Sequence, residues 1–201
     1  MPNRFDTPEL LLERARAGER EALDRLLGMY RTYLRLLART QIDATLRVRV
    51  DPSDLVQEVL KNAFLGFDQF AGRTEAELTQ WLRKILVRQL ADEVKRHQSQ
   101  KRDVRREVSL EAIDRSVVEM EAMLVAGISS PSSQAARRER AVLLAEALEQ
   151  LPADYREVII LRHLERVDFA EIARRMNRSA GAVRMLWVRA LEKLRAALGE
   201  E

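Results

Sequence analysis

Apolar residues return at intervals of three and four along most of this chain, a period that gives one buried stripe of a helix and does not suit the alternating faces of a strand. Leu23, Leu26, Leu27, Tyr30, Leu34 and Leu37 keep it. So do Leu55, Val56, Val59, Leu60, Ala63, Phe64 and Phe67, and then Leu78, Trp81, Leu82, Ile85, Leu86 and Val94. With only 7 glycines and 5 prolines, and with Leu, Ala, Arg and Glu dominant, little in the composition opposes helix. The predicted fold is all-α, in small helical domains.

Capping signals mark the elements. A short helix from Glu9 to Ala17 ends near Gly18, and a single longer helix is expected through Leu37. Asp51 and Pro52 form an N-cap and first-turn pair. After the break "FDQFAGRT", Thr74 and Glu77 make a capping box for the next helix. Past His97 the chain turns polar and basic in "QSQKRDVRREVS" and closes with "SSPSS", so residues 107–134 read as a flexible linker. The organisation expected is one domain over residues 8–104 and a second over 136–198. The second holds "QAARRERAVLLAEALEQL", a turn at Leu151 and Pro152, and "ADYREVIILRHLE".

Several functions are disfavoured. The absence of cysteine removes disulfides, thiolate zinc sites and a Cys nucleophile. No glycine-rich phosphate loop is present, so nucleotide hydrolysis has no support, and no cofactor is expected. The start of the chain lacks a continuous apolar stretch, and no run reaches bilayer-spanning length; a soluble, cytoplasmic protein without membrane insertion is expected. A net charge of +3 is small, so binding to nucleic acid would have to come from local clustering.

Residues 168–198, "DFAEIARRMNRSAGAVRMLWVRALEKLRAAL", show such clustering. Asp168 and Glu171 form a capping box over a helix that buries Phe169, Ile172, Ala173 and Met176. Asn177 to Gly181 interrupt it. Ser179 then caps a second helix lined on one side by Val183, Leu186, Trp187, Ala190, Leu191 and Leu194. Arg174, Arg175, Arg178, Arg184, Arg189, Lys193 and Arg195 stand in this part against Glu192. This is either a DNA-reading helix-turn-helix or the solvated basic face of a helix bundle.

In the first domain Asp51, Asp54 and Glu58 share a helix face, as a carboxylate metal site, an acidic docking face or plain surface would require. Neither His97 nor His163 lies near in sequence, which disfavours the metal. The helix after Glu75 carries Arg83, Lys84, Arg88, Lys95 and Arg96, with Lys101, Arg102, Arg105 and Arg106 beyond it, a strip suited to a nucleic-acid backbone. Trp81 lies among leucines and is expected in the core.

The stretch "LEQLPADYREVIILRHLERVDFAEIARRMNRSAGAVRMLWVRALEKLRAAL" resembles domain four of bacterial RNA polymerase sigma factors, and "DPSDLVQEVLKNAFLGFDQFAGRTEAELTQWLRKILVRQLADEVKRHQSQKR" resembles domain two. Both occur in the family's order, so the chain resembles the extracytoplasmic-function (ECF) group of the sigma-70 family. The resemblance implies a non-catalytic subunit that docks on core RNA polymerase through Asp51, Asp54, Leu55, Gln57 and Glu58. It implies contacts to the start-proximal promoter element from Arg88, Lys95, Arg96, His97, Gln98, Lys101 and Arg102, with an unstacked base captured by the loop His97 to Arg102. For the upstream element it implies Arg178, Ser179, Arg184, Arg189 and Lys193. An anti-sigma factor or other regulator is a further partner the family allows. The chain departs from the family at Ala182, Met185 and Leu186, where Thr, Ser and a second basic residue are common, so upstream readout is expected to lean on groove shape and phosphates. A stand-alone helix-turn-helix regulator is the alternative, and a nuclease using Asp51, Asp54 and Glu58 a distant third.

Overall fold

The computed structural model describes residues 7–42, 50–98 and 134–198, together with Arg115; side chains are described for 7–42, 50–96, 115 and 141–198. The chain divides into two compact units, residues 1–113 and 114–201. Every regular element among the described residues is helical. Apart from Arg115 and Gln134, the linker expected at 107–134 lies outside the described residues.

The first unit contains α1 (Pro8–Arg16), α2 (Arg20–Met29), α3 (Arg31–Gln41), α4 (Pro52–Leu65), a 3₁₀ turn (Phe67–Gln69) and α5 (Glu75–Gln98). Gly18 takes φ +94 and ends α1 with the paired bonds of a left-handed cap, Gly18 N–H to the Ala15 carbonyl and Glu19 N–H to that of Arg14. The single long helix expected through Leu37 is instead two, α2 and α3. Tyr30 (φ −89, ψ −4) bonds its N–H to Leu27 O at 3.2 Å, which tightens the turn and breaks the helix. Gly28 weakens that turn, and the fully buried Tyr30 ring anchors the joint by donating its hydroxyl to Glu75 Oε1 at 2.9 Å. Burial and the adjacent Glu75 carboxylate hold the Tyr30 phenol well above its ordinary pKa.

The long helix α5 is the spine of this unit. Leu78, Leu82, Leu86 and Leu90, spaced by four, are all 0% exposed, and Leu11, Leu26, Leu34 and Leu37 of α1, α2 and α3 are likewise buried. Each such leucine contributes about 2 kcal/mol by removal from water. Trp81 is half-buried and packs on Phe70 (5.1 Å between centroids) and edge-on to Phe67 (6.3 Å), as the sequence reading of it as a packing residue required. At Gly72 a Cβ would lie 2.3 Å from the Phe70 ring and 2.9 Å from Glu77 Cβ. Gly72→Ala is therefore expected to destabilise this unit by about 1–3 kcal/mol, read as a lowered urea midpoint at unchanged slope.

The second unit comprises α6 (Gln134–Gln150), α7 (Ala153–Ile159), a π turn (Ile160–Leu164), α8 (Phe169–Arg175) and α9 (Ala180–Ala197). Its core is Leu144, Leu148, Val158, Ile159, Ile172, Val183, Ala190 and Leu194. Leu151 and Pro152 form the expected turn, and Arg166, at φ 55, ends the π turn.

Candidate nucleic-acid interface

Local chemistry builds the joint between α8 and α9. The Asp168 carboxylate accepts the Glu171 N–H at 2.8 Å and starts α8. At the other end Asn177 adopts φ 51, a conformation that Asn tolerates better than most side chains. The Arg178 N–H then reaches back to the Ala173 carbonyl at 2.9 Å and the Asn177 N–H to that of Arg174 at 3.2 Å, closing α8. Ser179 Oγ accepts the Ala182 N–H at 3.2 Å and starts α9. Four residues, Met176 to Ser179, thus turn the chain between the helices, the length used in DNA-binding helix pairs.

Val183, Ala190 and Leu194 are the buried side of α9, and Leu186, Trp187 and Leu191 flank them half-buried. Gly181, Ala182, Arg184, Met185, Val188, Arg189 and Lys193 are exposed. Phe169 from α8 forms a stacking post: the Arg162 guanidinium lies 4.8 Å above its ring, that of Arg184 5.7 Å, and Trp187 meets it edge-on. Trp187 Nε1–H donates to His163 Nε2 at 2.9 Å, with the two rings stacked.

In the first unit, Lys84, Arg88 and Lys95 are exposed on the side of α5 away from its buried leucines, and among the described residues none of them makes an ion pair. On α4, Asp54, Gln57 and Glu58 are exposed side by side. Gln57 lines a groove of about 450 Å³ between α2 and α4, together with Leu27, Arg31 and Phe64.

The family model described as Sigma-70, region 4 matches residues 141–194, from within α6 to within α9. The chain is 27% identical to the ECF RNA polymerase sigma-E factor of Escherichia coli K12 over 94% of its own length and 92% of the relative's. It is 26% identical to the ECF sigma factor SigM of Mycobacterium tuberculosis H37Rv over 91% of its length and 80% of the relative's. Over most of its length the chain is similar to sigma factors of the ECF group of the sigma-70 family.

The fold redistributes the candidate residues of this chain. Arg184, Arg189 and Lys193 are exposed on α9, and among the described residues none of them has an ion-pair partner. Arg178 is held by Asp154 of α7 at 2.5 Å, and Ser179 spends its acceptor on the cap of α9. The basic cluster is also less bare than the sequence suggested. Arg174 and Arg175 both pair with Glu171, and Arg175 approaches Glu165 at 3.8 Å. The hydrogen bond from Arg175 holds the Glu171 carboxyl below its usual pKa.

Two residues are displaced from their expected places. Leu55 was expected among the docking residues but is 4% exposed, packed in the core by the apolar side of α4, and cannot offer its side chain to a partner. Arg83 was expected in the basic strip but is 2% exposed, its Nε donating to Tyr33 Oη at 2.6 Å. Asp51 is the N-cap of α4, accepting the Ser53 N–H at 2.6 Å, and Glu58 pairs with Lys61 at 3.3 Å. Arg96 is exposed and pairs with Glu93 at 2.8 Å. His97 and Gln98 lie in α5 by backbone only, and Lys101 and Arg102 fall outside the described residues.

The His163–Trp187 pair carries a pH dependence. Burial, assisted by the neighbouring Arg162 charge, lowers the His163 pKa from its ordinary 6.5. The unfolded chain therefore takes up a proton that the folded unit resists, so stability held above pH 6.5 is lost as the pH falls through and below that value. In a Trp81→Phe background, where Trp187 is the remaining tryptophan, its fluorescence should report an unfolding midpoint that falls on acidification. His163→Gln should flatten that fall; an identical pH profile in the two proteins would exclude the pair as its cause.

Proposed function

We propose that this chain is a non-catalytic initiation subunit that directs core RNA polymerase to promoters. The first unit acts as domain two and the second as domain four, with residues 107–134 joining them. Asp54, Gln57 and Glu58 dock α4 on the polymerase, where acidic and amide groups suit a basic, hydrogen-bonding surface. Lys84, Arg88 and Lys95 hold the opened strand near the start site, with Arg96 and the His97 to Arg102 loop capturing an unstacked base. Opening the duplex is driven by binding energy, and the catalytic metal belongs to the polymerase. Arg184, Arg189 and Lys193 of α9 take the phosphates of the upstream element, with Arg178 and Ser179 at the approach to the helix.

The observation that carries this reading is the helix-turn-helix of α8 and α9, its outer face carrying exposed cations, which lies, but for the last three residues of α9, within the segment matched by Sigma-70, region 4. Among the described residues no helix is long and apolar enough to cross a membrane. The test is gel-shift titration of one selected promoter duplex with the chain alone, with core enzyme alone and with both. Tight, sequence-selective binding should require both; equally tight binding by the chain alone would favour a stand-alone regulator.

A further inference from the structure

The outer face of α9 is apolar along its centre. Met185 is 53% exposed and Val188 39%, which puts both among the most exposed large hydrophobic side chains of the described residues. At about 100° per residue, Met185 points directly away from the buried line of Val183, Ala190 and Leu194. On one shoulder of this ridge stand Arg189 and Lys193, and on the other Arg184 and Arg195, all exposed. Arg184 leans on the Phe169 ring, a contact that limits the arcs open to its guanidinium. Glu192 continues the central line two turns further on.

This arrangement matches one environment closely. A helix about 10–12 Å across fills a major groove about 12 Å wide, which meets it with phosphates on both walls and base edges on its floor. Cations on both shoulders answer the walls. The apolar feature of that floor is the 5-methyl group of thymine, which projects into the major groove and has no counterpart on the other bases. A protein partner or a second copy of this chain would meet the apolar ridge but leave four cations to be neutralised around it.

Resting on the reading of α9 as the upstream-element helix, we propose that Met185 and Val188 are specificity-determining residues that read thymine methyl groups. Their separation along the helix, about 4.5 Å, spans neighbouring base pairs stacked about 3.4 Å apart. Both lie in the N-terminal half of α9, the part of a recognition helix that meets base edges, whereas Glu192 lies beyond it. Met suits the role because its unbranched, polarizable side chain settles against a methyl group without fixed geometry. The polar residues missing at positions 182 and 185 are thereby replaced by another kind of readout.

The experiment uses holoenzyme assembled from core polymerase and the full chain. An upstream element is first selected from a random duplex pool, and each thymine in it is then replaced singly by deoxyuridine, which pairs identically but lacks the methyl. One or more of these replacements should weaken binding by roughly fourfold, the value of one buried methyl-sized group. Met185→Ala should weaken the thymine duplex by a similar factor and bind the thymine and uracil duplexes alike at one position. Val188→Ala should do the same at that position or its neighbour. Arg184→Ala should weaken both duplexes equally and keep their ratio. Equal binding of thymine and uracil duplexes by the unaltered protein, an element without thymine, or a ratio unchanged in both Met185→Ala and Val188→Ala would each overturn the proposal. Failure of the holoenzyme to select any upstream element would instead overturn the reading of α9 on which it rests.

Discussion

Asp54→Lys combined with Glu58→Lys is expected to weaken binding to core RNA polymerase by roughly 100-fold, equivalent to about 3 kcal/mol. Both side chains are exposed on α4 and neither supports the core, so the helical content and unfolding midpoint of the free protein should change little. Glu58 pairs with Lys61 on the surface, an interaction worth about 0.5 kcal/mol in such settings, so its loss cannot account for a large change in affinity. Leu55→Ala should behave in the opposite way. Removing a side chain that is 4% exposed costs about 2–5 kcal/mol of stability, so any loss of polymerase binding would follow the unfolded fraction. Unaltered affinity in the charge-reversed protein, measured by fluorescence anisotropy against core enzyme, would remove α4 from the docking assignment.

Replacing Arg184 and Arg189 together by alanine should weaken binding to the upstream duplex by about 100-fold, since a hydrogen bond to a charged group is worth roughly 1.5–3 kcal/mol. The slope of log affinity against log salt should fall by about two, near one per lost phosphate contact. Arg178→Ala should cost less, because its guanidinium is already engaged by Asp154. The basic line of α5 should fail differently. Under the proposed roles, Arg88→Ala with Lys95→Ala should leave upstream contacts intact but weaken the hold on the opened strand, so a pre-melted bubble template should recover much of the lost transcription. Unpairing and unstacking, a few kcal/mol per base, are then already supplied. Recovery by the bubble in the Arg184 and Arg189 variant but not in the α5 variant would reverse the assignment of the two units.

What the sequence disclosed was governed by near neighbours. The caps at Asp51, Asp168 and Ser179, the capping box of Thr74 with Glu77 and the helix end at Gly18 each depend on residues within five positions and form as read, whereas the Glu171 carboxylate, expected to close a second box on Asp168, is engaged by Arg174 and Arg175 instead. The period of apolar residues already places Leu55 on the buried side of its helix, against the docking role that the family resemblance implies for it. What escaped depends on distant partners. Arg83 is buried because it meets Tyr33, 50 positions earlier, and the α2–α3 joint is held by Tyr30 reaching Glu75, 45 positions on. The Asp154–Arg178 pair and the His163–Trp187 bond each bridge 24 positions. No local pattern marks such pairs, because the helices bringing them together are set by the packing of the whole core.

The central claim is that this chain gives core polymerase a promoter choice it otherwise lacks. Transcription from a random promoter library, with core enzyme alone and with core enzyme plus this chain, tests it most directly. The expected result is a new set of start sites that share an upstream and a start-proximal element at fixed spacing, abolished by Asp54→Lys with Glu58→Lys. Identical start sites with and without the chain, while it binds a defined duplex tightly in the absence of polymerase, would contradict the claim.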